Sequence, residues 1–358
     1  MKLTNIEWTD FSTNPLKYRD RRTGAVVWGC VKHSSGCANC YAEQIALRFN
    51  RGGPFTRAQM EHLEPFLDEK ELRHILTAKT IGGQSVSGGR AFVSDMTDVF
   101  GEWVPDELLD RLFAVMALRK DVTFQILTKR PERMAEYLTR QMGPNGYEGE
   151  RWCEDSPRSL CMLLLEAQRI RREMYDDPYL PSFPWPLPNV HLGTSVENQA
   201  AADERIPHLL ATPVAVRFLS VEPLLGPVDL PFNNCNPCNP GDPSACLVNA
   251  SGCGCRIDWV IVGGESGTGA RPMQIEWARD LVRQCKATGV PVFVKQMGSA
   301  PEGLIDHITF KGSGTKKPNG FYRYLNDKKG GEPDEWPIDL RVREFPEVAA
   351  PLTERKPT

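Results

Sequence analysis

The sequence predicts an α/β chain folded as a full or partial βα barrel, a parallel sheet with helices on its outside and two insertions. Three observations lead there: six short β-branched runs, helical patterns between them, and polar residues closing each run. An open doubly wound sheet is the alternative arrangement of the same units.

The runs are Ala91 to Met96, Val122 to Thr128, Val190 to Ser195, Val214 to Ser220, Trp259 to Gly263 and Val292 to Lys295. Between the first two, Pro105-Asp106-Glu107 opens a helix with proline and acids in its first turn, and Leu108, Leu109, Leu112, Phe113 and Met116 form its apolar stripe. Arg130 to Thr139, Gln199 to Leu210 and Ile275 to Thr288 read as further helices. Two segments break the alternation. Residues 141–188 hold a helix-like stretch from Ser159 to Tyr175 and then the proline-dense Pro178 to Pro188, where regular helix is precluded. Residues 232–256 form a Cys-rich insertion, and 299–358 extend the single domain 1–358 at its C-terminus.

At 358 residues, 41% hydrophobic and 25% charged, the chain can bury a sizeable core. The start has no apolar leader and no run approaches a membrane span, so a cytoplasmic protein without membrane partners is expected. Eleven cysteines there read as metal ligands or free thiols, and the odd count argues against a disulfide framework. The net charge of −3 makes no global case for nucleic-acid binding.

Cys30, Cys37 and Cys40 share one short stretch ahead of a helical pattern. Three thiolates can hold three irons of a [4Fe–4S] cluster and leave the fourth open to a ligand, whereas closed electron-transfer clusters take four cysteines. Asp95, Lys129, Glu197, Glu222, Glu265 and Lys295 fall at or just past strand C-termini, the face where barrel sites are built. They are expected around one pocket with the cysteine loop. Glu222, Glu265 and Lys295 are its candidate catalytic groups. Two other readings stand beside this one. Cys30-x2-His33-x3-Cys37-x2-Cys40 also has the spacing of a Cys3His zinc site, which would make the chain a zinc-binding module associated with nucleic acid. A barrel hydrolase working through its acids, with structural cysteines, is the third. In the second insertion, Cys235, Cys238, Cys246, Cys253 and Cys255 suggest another metal site, either zinc or a second iron–sulfur cluster.

The segments Ile6 to Asp10, Gly29 to Glu43, Phe92 to Met96, Leu127 to Pro131, Gly193 to Asn198, Leu219 to Leu224, Gly263 to Gly267 and Val294 to Gln296 together resemble the phage Gp37/Gp68 family, a three-Cys-motif family also called DUF5131. That family is similar to the radical S-adenosylmethionine (SAM) superfamily in its cysteine motif and repeated βα units. Superfamily members usually space their first two cysteines by three residues, where this chain has six. The resemblance implies a radical SAM-like parallel barrel, a [4Fe–4S] cluster on Cys30, Cys37 and Cys40, and cleavage of SAM to a 5′-deoxyadenosyl radical. Tyr41, Ser94, Asp95, Lys129, Ser195 and Glu197 become candidates for contacting SAM. A reductant such as flavodoxin or ferredoxin is implied as partner, and a nucleic-acid base or nucleotide as substrate class through the phage association.

Overall fold

The computed structural model describes residues 1–140, 157–177, 179–231, 256–303, 316–317, 320–321, 325 and 327–347. Eight strands make the central sheet: β1 (Lys2–Leu3), β2 (Phe11–Thr13), β3 (Arg90–Val93), β4 (Thr123–Thr128), β5 (Val190–Ser195), β6 (Val216–Val221), β7 (Trp259–Gly263) and β8 (Val292–Gln296). They lie side by side in chain order, and the sheet curls into a half-barrel. β1 is antiparallel to β2, and every later pair is parallel.

Strand order decides between the two expected architectures. A doubly wound sheet reverses direction at a switch point, whereas here the order from β2 to β8 never reverses. Right-handed crossovers therefore stack the helices that link the parallel strands on the convex side. The helices are α1 (Tyr41–Arg48), α2 (Glu69–Thr77), α3 (Asp106–Leu118), α4 (Pro131–Thr139), α5 (Arg158–Tyr175), α6 (Gln199–Ala211) and α7 (Ile275–Thr288), of which α1 packs apart from the rest, with Phe55 and Met96. All six expected strands form, two with the expected bounds and four with an end moved by up to three residues. β1 and β2 escape a periodicity reading because two or three residues show no period. So does a small meander of Leu16–Asp20, Val26–Val27 and Leu63–Leu67, which precedes α2. Within the first insertion, α5 packs on α3 and α4. The second insertion, with Cys235, Cys238, Cys246, Cys253 and Cys255, lies outside the described residues.

Side chains alternate across the sheet as pleating requires. Val93, Ile126, Leu192, Leu219 and Val260 face the helices and join Leu109, Met116, Met134, Leu209 and Leu281 in the main core. Phe92, Phe218, Trp259, Ile261 and Phe293 face inward around Trp8. The Trp8 ring lies 4.8 Å from Phe92, 6.0 Å from Phe218 and 6.1 Å from Trp259, so an aromatic plug fills the concave side. At the open edge of β8, the Val294 amide donates to the Val342 carbonyl (2.8 Å) and the Glu344 amide to that of Val292 (3.0 Å). The C-terminal extension thereby covers an edge that would otherwise invite another strand.

His191 stands on the concave face of β5, opposite Gln125 of β4. It is buried, and neither ring nitrogen has a hydrogen-bond partner among the described residues. Burial pushes its pKa down to about 4. The unfolded chain takes up this proton near pH 6.5, so acid draws the equilibrium toward unfolding between those two values. Wild type is expected to lose about 2 kcal/mol more stability than His191→Phe between pH 7 and pH 5. Urea midpoints at the two pH values measure this, and parallel losses in the two proteins would refute a neutral buried His191.

Candidate functional site

The cysteine loop crosses the C-terminal mouth of the half-barrel. It leaves the meander at Gly29, where any side chain would press on Leu63, Met60 and Tyr18 within 2.7–3.3 Å, so only glycine lets the backbone pass. A 3₁₀ turn over Ser35–Cys37 follows, and Cys40 then caps the N-terminus of α1. All three thiols are partly exposed.

Four strand ends hold this loop. After β3, the Thr97 hydroxyl donates to the Gly29 carbonyl (2.6 Å), and Asp95 offers its own carbonyl to the Tyr41 hydroxyl. After β4, Asp98 accepts from the Thr128 hydroxyl, the Lys129 amide and the Arg130 guanidinium, which in turn donates to the Val31 carbonyl (2.9 Å). After β5, Glu197 accepts from the Gly36 amide (3.4 Å); a Cβ at Gly36 would sit 3.1 Å from its carboxyl carbon. After β7, Glu265 accepts from the Asn39 amide (2.9 Å), and its partner Arg271 donates to the Ser35 carbonyl (2.8 Å).

Two of these anchors, Asp98–Arg130 and Glu197–Arg205, are buried ion pairs. Glu197 and Arg205 are 1% and 2% exposed and meet at 2.9 Å. Burial works to raise the Glu197 pKa, but the nearby Ser34 hydroxyl, Arg205 and the Lys129 ammonium outweigh it and hold the carboxyl below its ordinary value. Glu265 is likewise held down against burial by Arg271 and Asn39, with Arg271 gripping both carboxylate oxygens at 2.5 and 2.9 Å. Both carboxylates are thus committed to guanidinium partners. Their part is to fix the loop.

The remaining sequence-expected residues fall around the same mouth. Ser94 ends β3 in the left-handed region (φ 61°), with a buried hydroxyl lacking a partner among the described residues. Non-glycine residues adopt such a conformation at a cost of roughly 1–3 kcal/mol. Asp95, beside Asn14, is raised by burial, an effect that the Asn14 amide and Lys2 only partly offset. Glu222 accepts from Lys295 (2.7 Å) and Gln296 (2.9 Å). Asp95, Cys40 and Glu222 all act electrostatically on the Tyr41 hydroxyl, which ties the two sides of the mouth together. The Lys129 ammonium has no hydrogen-bond or ion-pair partner among the described residues, yet Cys40 and Glu197 both feel its charge. Ser195 is buried and pairs with Ser220 across the sheet.

The thiols sense one another. Burial pushes the Cys30 pKa up to about 12, Asp98, Cys40 and Cys37 push in the same direction, and Arg130 opposes them. Cys40 is raised chiefly by burial, against the helix amides of Glu43 and Ala42. Among the described residues no three His, Cys, Asp or Glu side chains converge on a single ion, and His33 turns its Nε2 toward Glu204 (3.7 Å).

Arg205, Arg271, Asn39, Thr97, Arg130 and Asn14 were outside the sequence expectation. Only Asn39, between two of the cysteines, carried any local signal.

The family model described as a protein of unknown function, DUF5131, matches residues 3–330. No curated protein and no solved structure matches the chain. No helix among the described residues is long and apolar enough to cross a membrane.

Removing Glu197 strands a buried guanidinium. Glu197→Ala is expected to destabilise the protein by about 3–5 kcal/mol, read from chemical denaturation at pH 7. Arg271→Ala should destabilise the protein less than Glu197→Ala does, because Arg271 is 30% exposed and Asn39 still donates to Glu265, while raising the alkylation rate of Cys37 in metal-free protein by freeing the Ser35 side of the loop. Unchanged alkylation would show that the clamp does not order the loop.

Proposed function

We propose that this chain, which belongs to the DUF5131 family of proteins of unknown function, is a radical SAM enzyme whose [4Fe–4S] cluster is held by Cys30, Cys37 and Cys40. The observation that carries the reading is the three-cysteine loop itself, fastened to the ends of β3, β4, β5 and β7 of a parallel half-barrel. Three ligands leave one iron for a small molecule, and the mouth presents polar groups toward that position. The cluster, when bound, supplies one electron that cleaves SAM into methionine and a 5′-deoxyadenosyl radical.

The chain's own residues do the rest. The unpartnered Lys129 ammonium is the available cation for a carboxylate, and the orphaned Ser94 hydroxyl with the Asp95 carboxyl suits an amino group. Glu197–Arg205 and Glu265–Arg271 keep the thiolates in place without themselves meeting the ligand. Lys295 and Gln296 hold Glu222 in one orientation at the opposite wall, where it can orient a substrate C–H bond donor. The aromatic plug closes the far end of the half-barrel and keeps bulk water from entering behind the site.

Anaerobic reconstitution with iron and sulfide is expected to load about four irons on the early loop. SAM and reductant should then yield 5′-deoxyadenosine. Cys30→Ala, Cys37→Ala and Cys40→Ala should each abolish the cluster's spectrum. Full retention of iron and spectrum in all three single variants would sink the assignment.

A further inference from the structure

The concave face of the sheet carries a row of polar side chains that the chemistry of the mouth does not use. Strand register places Ser12 of β2 beside Phe92 of β3, Phe92 beside Gln125 of β4, and Gln125 beside His191 of β5. Ser12, Gln125 and His191 are 0, 1 and 2% exposed. Of the eight buried side-chain nitrogen and oxygen atoms without a hydrogen-bond partner among the described residues, four belong to this row: the Ser12 hydroxyl, Gln125 Oε1 and both ring nitrogens of His191. Left unsatisfied, four such groups would together forfeit free energy of the same order as the stability of a whole domain, so the row requires a hydrogen-bonding partner.

The chemistry of the row limits what that partner is. Gln125 Oε1 only accepts, so the partner must donate to it, whereas a neutral His191 offers one donor and one acceptor and Ser12 can act as either. Burial alone sets the His191 proton affinity, and no charged group acts on it. An ion here would be a buried charge without a counter-charge, and no three His, Cys, Asp or Glu side chains among the described residues converge on a metal. The partner is therefore neutral and able both to donate and to accept.

Its size follows from the roof above the row. The Trp8 ring lies 4.8 Å from Phe92 on β3 and 6.0 Å from Phe218 on β6, so it crosses the two strands between them, which carry Gln125 and His191. Trp8 is itself 3% exposed. A space closed in this way suits a guest the size of water. Neighbouring strands are about 4.8 Å apart, so one such molecule can bridge Gln125 and His191, whereas Ser12, two strands from Gln125, needs another.

We propose that this row is a structural water site closed by Trp8, with one molecule bridging Gln125 Oε1 and a ring nitrogen of His191, one on the other ring nitrogen and one on the Ser12 hydroxyl. The aromatic plug is then the lid of a small polar chamber. These waters exchange with solvent only when Trp8 moves, and they stay bound far longer than water on the surface.

A crystal structure of the full chain that resolves ordered water is expected to show density within hydrogen-bonding distance of Gln125 Oε1 and of both His191 nitrogens. Nuclear Overhauser spectroscopy of the same protein with labelled histidine should detect a long-lived contact between water and the His191 ring. Gln125→Met and His191→Phe each remove one side of the bridge. Each should lower the urea midpoint at pH 7, and the double variant should lose less than the two single losses added together. A dry row gives the opposite pattern, because deleting an unsatisfied group raises the midpoint and the two gains add. No density, a direct hydrogen bond between Gln125 and His191, or an ion or organic molecule in the chamber would overturn the proposal. If a variant does not fold, the wild-type density and the Overhauser contact decide by themselves.

Discussion

The site depends on charge pairs that grip the backbone of the cysteine loop. Cysteine side chains are short, so three sulfurs keep a fixed arrangement only when the main chain between them is fixed. Asp98–Arg130, Glu197–Arg205 and Glu265–Arg271 provide this, each with one group bonded to the loop, and Arg130 and Arg205 are also bonded to their own strand ends. Burying an ion pair seldom adds stability over a well-packed apolar pair of the same volume. Keeping two buried pairs and a third, partly exposed one beneath one loop makes sense as positional control.

Strand order supplies the geometry for those grips. Seven consecutive parallel strands bring seven C-terminal ends to one rim, and the side chains just beyond each strand can then reach a segment laid across it. The opposite end is closed by Trp8 and its aromatic neighbours.

Much of this was legible in the chain because parallel strands buried on both faces leave continuous β-branched runs. The polar residue that ends each run also marks the rim, which is why Asp95, Lys129, Glu197, Glu222 and Glu265 were found together. Their division of labour was not legible. Glu197 and Glu265 read like ligand-binding carboxylates, and only the positions of Arg205 and Arg271, six to eight residues further on, show them to be loop anchors. Nor could the meander or β2 be foreseen, since two to five residues carry too little pattern. Asn14 and Thr97 act through pairs of hydrogen bonds, to Asp95 and Met96 and to Gly29 and Tyr18, that leave no periodic trace.

The loop's anchors also set the order in which the protein can mature. Asn39 meets Glu265 across 226 positions, and Arg271 meets Ser35 across 236. Contacts that distant close late, after local helices and neighbouring strands have formed. During synthesis the three cysteines emerge among the first residues, and the Ser35 and Asn39 part of their loop stays unfastened until β7 and its following turn have left the ribosome. Metal loading is then a step for an almost finished chain, and a product truncated before Glu265 keeps its thiols but never gains the fixed loop that would present them together.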